Sequence, residues 1–550
     1  MVRREGDRFA PSAIRCAAIG VTPDPKRPFG RTRRSATLIQ WVAATALAVS
    51  LVHAAPKPNR LDRQIQAIVR QSPGRLGFWG VEAVQLPGGK LLCSLHAHHL
   101  FQPASNLKLF TLATALEKLG PDFTFLTTVE ASRPPDAQGR VGNVYLVGRG
   151  DANFATSRVL PYAGPITPRN PAASLAAIKD LANQVTARGV REITGNLIAD
   201  DRYFVDEPYP SDWAVGDLVW GYGAPVTALV FNDNELLLRV DPAPEAGEKA
   251  RVWLEPVDGG YRIRNELETV GRDDPSNVQI DRAPGSTTLH VYGQIPAGAP
   301  EFDQTIAIQN PPRLLAELLR QDLEADGIQV EGRIQVRRLS PARAMEESAK
   351  SFALASRPAR VVLAMHRSLP LADDIELTAK VSQNLHAESL LLTLGRELEG
   401  VGSRKSGLKV VAAFGREADI PSDEMRIVDG SGLSRGDLVA PDAIVQLLRF
   451  MSGAPHFRIF YDALPVAGVD GTLSDSFKGT PAVGRIHAKT GTLEHVDSLS
   501  GYMHLPSGQR VAFSIMGDAD PLHHPEAQAV LDQIALAIFE QSSSSEDHPR

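Results

Sequence analysis

Elements that belong in one layered domain stand at opposite ends of this chain. Near the front, LDRQIQAIVRQS at 61–72 sets Leu61, Ile65, Ile68 and Val69 on one helical face. A strand follows, then Pro87-Gly88-Gly89-Lys90 as a hairpin turn, then a second strand. Near the back, Ile486 to Glu494, Ser498 to His504 and Arg510 to Met516 read as an antiparallel meander, with Leu505-Pro506-Ser507-Gly508 turning between the last two. A final amphipathic helix carries Val530, Leu531, Ile534 and Ile538. A helix at each chain end flanking an antiparallel sheet predicts one domain made by both ends around an insertion.

The texture of the middle agrees. From about residue 135 to 345 the chain has short strands, many turns and few helices, and Pro242 to Pro300 reads as wholly β. Helical patterns return at 312–326 and 384–398. The expected class is α+β, an antiparallel sheet flanked by helices and interrupted by two nested β-rich insert domains. The expected boundaries are a leader at 1–55, a discontinuous domain at 56–135 and 346–541, an insert domain at 136–240 and 301–345, a nested β domain at 241–300, and a polar disordered tail at 542–550. A length of 550 residues accommodates these pieces.

The leader predicts export. Residues 1–34 are rich in Arg and Pro and end in Arg31-Thr32-Arg33-Arg34; Ser35 to Ala55 has no charge, and Pro56-Lys57-Pro58 follows. That order is the mark of a secretory signal. The apolar stretch is also long enough for an uncleaved membrane anchor. Either reading puts the body of the chain in the periplasm or outside the cell. A net charge of −6 gives no global positive field to recruit nucleic acid. Two cysteines, Cys16 and Cys93, exclude a disulfide scaffold and a Cys-based zinc site.

Chemistry concentrates in three short stretches. PASNLKLFTLATALEKLG at 103–120 predicts a helix apolar nearly all round, which belongs inside a domain. Ser105 and Lys108 open it as S-x-x-K, and positions i and i+3 share a helix face. Serine needs an adjacent base. Lysine serves only when neutral, a fall of about 3 pKa units worth roughly 4 kcal/mol. Ser406-Gly407-Leu408-Lys409 matches the same spacing, but reads as a connection before a strand, LKVVAAF, and is taken as chance. Ser382-Gln383-Asn384 enters the second helical run, where Ser and Asn are also capping residues. Lys489-Thr490-Gly491-Thr492 lies on the first meander strand, where Gly491 would let a substrate backbone approach. The ordered set S-x-x-K, S-x-N, K-T-G is that of penicillin-binding proteins and class A β-lactamases.

With these motifs the chain resembles the penicillin-binding protein 4 type of D-alanyl-D-alanine carboxypeptidase, a class C low-molecular-mass penicillin-binding protein. The resemblance runs from about 60 to 540 and includes PASNLKLFT at 103–111, DDRYF at 200–204, YGAPVTALVFNDNEL at 222–236, DGSGLSR at 429–435 and GVDGTL at 468–473. The gap from Lys108 to Ser382 suits a family whose penicillin-binding domain is interrupted. The long leader and Gln383 are the visible departures. The resemblance implies an acyl-enzyme at Ser105 with Lys108 as base, Ser382 as proton relay and Asn384 orienting Lys108 and substrate. Lys489, with Thr490 or Thr492, would hold the terminal carboxylate, and the amides of Ser105 and Thr492 would hold the oxyanion. Lys489 would also keep Lys108 neutral by its charge. Peptidoglycan stem peptides are the implied substrate, β-lactams the implied inhibitors, and D,D-endopeptidase activity a further possibility on the same site. No cofactor and no metal are expected; association with the cell wall or membrane surface is.

Other readings are weaker. His96, His98 and His99 alternate on a predicted strand without a nearby carboxylate, the pattern of a surface strand more than of a metal site. Asp429-Gly430-Ser431-Gly432 lacks the G-x-S-x-G form of a Ser-His-Asp hydrolase; it borders a cleft or makes a tight turn. A β-lactamase or D-amino-acid esterase on the same site would turn penicillin over rapidly. A non-catalytic wall-binding scaffold has no need of a consistent catalytic set.

Overall fold

A computed structural model describes residues 58–71, 73–164, 169–349, 360–505, 507–518, 522 and 524–543. The leader, its apolar stretch and residues 544–550 of the tail lie outside the described residues, while 542 and 543, expected in the tail, belong to the helix His524–Ser543. Among the described residues no helix is long and apolar enough to cross a membrane.

The two chain ends do meet. A five-stranded antiparallel sheet runs in the order Ile486–Leu493, Val496–His504, Arg510–Asp518, Phe78–Leu86, Lys90–Leu95. Phe78–Leu86 zips to Arg510–Asp518 from Phe78 against Asp518 to Leu86 against Arg510. Alternation sends successive side chains to opposite faces. Val511 and Phe513 pack with Leu61, Ile65, Leu531, Ile534 and Ile538 of the terminal helices Arg60–Gln71 and His524–Ser543. Ala512 and Tyr502 face the other way, against Leu109 and Phe110 of the helix Lys108–Leu119, Leu390 of Asn384–Glu399 and Leu448 of Pro441–Met451. The result is three layers, helices on both faces of one sheet.

The insertion has its own sheets. A mixed five-stranded sheet runs Ile334–Leu339, Leu197–Val205, Val144–Val147, Leu126–Ala131, Val361–Arg367. Its last two strands lie outside the 136–345 span expected from texture. The region from 242 to 300 is built of strands, and its Leu267 and Leu289 share one apolar cluster with Leu146, Leu197, Leu315 and Leu319.

Three sequence expectations are corrected. Pro171–Ala187 is a helix inside the span read as poor in helices; Asn170 caps it by accepting from the Ala172 amide, and Pro171 opens it. LKVVAAF is not a strand but part of the helix Arg404–Glu417, capped by Ser403, with Val410, Val411 and Phe414 buried on one side. The second S-x-x-K therefore also sits in the first turn of a helix. The histidines are not on a strand: it ends at Leu95, and His96 (φ 48°) turns the chain away.

Candidate active site

The nucleophile turn is built by close backbone contacts. Ala104–Leu107 forms a 3₁₀ turn running directly into the helix Lys108–Leu119, with Ala104 at φ 47°. Loop 429–435 packs on this turn so closely that a β-carbon on Gly432 (φ 79°) would lie 1.8 Å from the Ala104 carbonyl oxygen. Only glycine meets both demands. The turn-to-helix junction puts Ser105 Oγ 2.8 Å from Lys108 Nζ.

Lys108 is fully buried. Its Nζ also lies 2.6 Å from Asn384 Oδ1 and 2.7 Å from the Ser431 carbonyl oxygen. Asn384 Nδ2 donates to the Tyr222 carbonyl at 3.0 Å, which leaves Oδ1 for the lysine. Both of these partners only accept. A neutral amine has two N–H donors for them and one lone pair left, aimed at the serine hydroxyl. Burial drives Lys108 down to about 7, against the carboxylates of Asp429, Glu388 and Asp437, which favour its charged form.

The second and third motifs close the site. Ser382 ends the helix Leu371–Val381 in the left-handed conformation (φ 58°), its amide donating to the Thr378 carbonyl; Gln383 caps the next helix by accepting from the Leu385 amide. The Ser382 hydroxyl is thus free to meet Lys489 Nζ at 2.8 Å, and Lys489 also donates to the Thr490 carbonyl at 2.7 Å. Lys489, fully buried, is lowered well below the usual lysine range, first by burial and then by Lys108. The charge on Lys489, expected to neutralise Lys108, is not among the causes; burial is.

Gly491 packs against the nucleophile turn. A β-carbon there would fall 2.8 Å from the Pro103 carbonyl and 2.9 Å from the Ser105 amide nitrogen. The glycine keeps open the space in front of that N–H. Thr490 bonds Thr472 at 2.7 Å, and Thr492, exposed, donates to Asp497 at 3.2 Å. Ser105, Lys108, Ser382, Asn384 and Lys489 therefore converge from three separate stretches, with the 490–492 strand alongside.

The model of the family described as "D-Ala-D-Ala carboxypeptidase 3 (S13) family" matches residues 61–538. This chain belongs to that family. It is 33% identical over 543 residues to a D-alanyl-D-alanine carboxypeptidase of Actinomadura sp. (strain R39), covering 94% of each chain. It is 24% identical over 438 residues to the D-alanyl-D-alanine carboxypeptidase DacB of Haemophilus influenzae, covering 79% of this chain and 84% of that one. The crystal structure of penicillin binding protein 4 (dacB) from Haemophilus influenzae superposes with a TM-score of 0.72 at 22% identity, over 87% of this chain and 99% of that chain. The fold is the penicillin-binding fold with its insertion, and the activity is that of a D-alanyl-D-alanine carboxypeptidase.

Several residues of this carboxypeptidase escape sequence reasoning. Glu388 accepts from the amides of Gly430 (2.7 Å) and Ser431 (2.9 Å), and Asp429 accepts from those of Gly432 (2.7 Å) and Ser434 (2.8 Å). Together they hold the Ser431 carbonyl against Lys108. Burial, then Asp429, raises Glu388 to about 7; burial, then Asp429, also raises Asp437 well above the carboxylate range. The DGSGLSR stretch was the one signal for this loop, and it does border the site. Under Ser382 and Asn384, buried His386 bonds Asp374 at 2.7 Å and Asp233 of the insertion at 3.3 Å. Burial alone would lower His386, but these carboxylates raise it to about 9.

Proposed function

We propose that Ser105 is the nucleophile of this carboxypeptidase and that its substrate is the D-alanyl-D-alanine end of a peptidoglycan stem peptide. The observation that carries the reading is Lys108 Nζ, buried, 2.8 Å from Ser105 Oγ and with its two N–H donors already engaged. Ser105 attacks the carbonyl between the two D-alanines and Lys108 takes its proton. Ser382 passes a proton to the leaving amine, and Asn384 holds Lys108 and the substrate amide. Lys489 meets the terminal carboxylate. That arriving charge favours the ammonium form of Lys489, and the ammonium then pushes Lys108 further toward neutrality. The oxyanion sits between the amides of Ser105 and Thr492. Water resolves the acyl-enzyme. A β-lactam, shaped like the D-Ala-D-Ala terminus, acylates the same serine.

The apolar leader supports export to the periplasm or beyond, where the stem peptides are, with the body of the enzyme at the wall or the membrane surface. Residues 136–240 with 301–345, and 241–300, serve in this reading as two insert domains of one penicillin-binding domain.

Ser105→Ala is expected to abolish labelling by a fluorescent penicillin and release of D-alanine from a pentapeptide, while Ser406→Ala keeps both. Labelling that survives in the Ser105 variant removes the assignment. Rapid penicillin turnover by the wild-type chain replaces it with a β-lactamase.

A further inference from the structure

Away from this site, three chemistry-bearing side chains meet. The His96–His99 turn brings His98 Nδ1 to 2.7 Å from Glu424 Oε1 and 3.9 Å from Asp442 Oδ2. One donor atom from each of the three lies within 4.8 Å of the others. The sequence reading saw no carboxylate near the histidines because both are more than 300 positions away.

A fourth group faces them from below. Glu82, on the strand Phe78–Leu86, is only 6% exposed, and its nearest charged neighbours include the carboxylates of Asp442 and Glu424. Its Oε2 has no hydrogen-bond partner, and neither has Glu424 Oε2. Buried carboxylate oxygens without partners are costly, and Glu82 and Glu424 both lie within hydrogen-bond reach of Asp442, so a proton or a cation has to sit among the three carboxyls. Gln446 donates to Asp442, and Arg449 is the cation near Glu82; neither reaches the two orphaned oxygens.

We propose that His98, Glu424 and Asp442 bind one divalent first-row transition cation of the zinc or manganese type, next to the buried carboxyl of Glu82. One imidazole and two carboxylates offer three ligand atoms suited to such an ion, with water to complete its coordination. The His98 side chain is 70% exposed above carboxylates that are 12% and 14% exposed, so the ion enters from solvent and the imidazole closes over it.

The site joins segments that frame the nucleophile. The Asp442 amide donates to the Ala97 carbonyl at 3.0 Å, and Phe101 and Val439 exchange amide hydrogen bonds of 3.0 and 2.8 Å. Phe101 is followed within one short turn by Ser105. The cation is a clasp on the loop that delivers the nucleophile, separate from the reacting groups.

The test is calorimetric titration of Zn²⁺, and separately Mn²⁺, into the full chain after chelator treatment, with melting curves alongside. One site per chain is expected, with a melting temperature that rises with the ion. His98→Ala and Glu424→Gln should each weaken that site by more than the roughly 10–100-fold that loss of a mere supporting partner costs. Glu82→Gln, which alters a neighbour of Asp442, should weaken it by no more than that. Penicillin labelling, expected intact in every variant without metal, reports that each has folded. No binding by the wild-type chain, or an affinity that His98→Ala and Glu424→Gln leave unchanged, overturns the proposal and leaves an ordinary histidine–carboxylate pair.

Discussion

Ser105–Lys108 and Ser406–Lys409 have the same spacing and both lie where a helix begins, yet they share no chemistry. Lys108 is fully buried, with a serine hydroxyl and two acceptors around its amine. Lys409 is 68% exposed and pairs with Glu399 at 2.6 Å. Ser406 bonds the hydroxyl of Ser403, the cap of its own helix, at 3.0 Å. Spacing makes two side chains neighbours. It is the loss of water around the amine, with partners that accept but do not donate, that makes one of them a base.

The sharpest way to break this comparison is to remove each lysine. Lys108→Ala should lower kcat/KM for D-alanine release by about 10³-fold or more, within or beyond the usual range for a positioned base, while Lys409→Ala leaves it within about twofold. Equal losses would mean that burial is not what separates the pairs. The glycines beside each pair come next. Gly491→Ala should slow acylation by about 10²–10³-fold, as loss of an oxyanion donor does, read from the rate of penicillin adduct formation by mass spectrometry. In Gly407→Ala the new methyl meets the Leu391 carbonyl at 2.1 Å; about 1–3 kcal/mol of stability should go, as in overpacking, with the acylation rate of folded protein unchanged.

A smaller effect lies in the pH profile. With Lys108 at about 7, the reactive neutral amine is lost as pH falls, so acylation should drop about tenfold per unit below 7 and level off above it. Glu388 favours the ammonium form. Glu388→Gln should therefore move the acid limb to lower pH, by less than about one unit; a shift upward would contradict the electrostatics. Smallest of all, Lys409→Ala should change stability by less than about 0.5 kcal/mol in a denaturant titration, because its partner is a surface carboxylate.

The reacting side chains were legible because each motif is local: four residues or fewer fix Ser105 with Lys108, Ser382 with Asn384, and Lys489 with Gly491. The paired chain ends were legible from periodicity, apolar at every second position in Val511 and Phe513 and at helical spacing in Leu531, Ile534 and Ile538. What failed was local preference overridden by context. Val410 and Val411, β-branched neighbours, suggested a strand, but the Ser403 cap and the burial of Phe414 one turn on favour a helix. Asn170-Pro171 is a cap-and-proline helix start set within a span of short strands and turns. The roles of Glu388 and Asp429 were invisible for another reason. Their role is to hold a carbonyl against Lys108, and no pattern along the chain records which loop a buried carboxylate will face.

The Tyr222 carbonyl and Asp233, both supplied by the insertion, hold Asn384 and His386. A shortened gene that splices out the middle of the chain would not give a compact hydrolase with a narrower choice of peptides. It would strand the amide of Asn384 and leave an imidazole with one carboxylate instead of two, in the very element that carries the second motif. The excursion between the first and second motifs is in this sense part of the catalytic floor, and any effort at miniaturisation must first replace those two contacts.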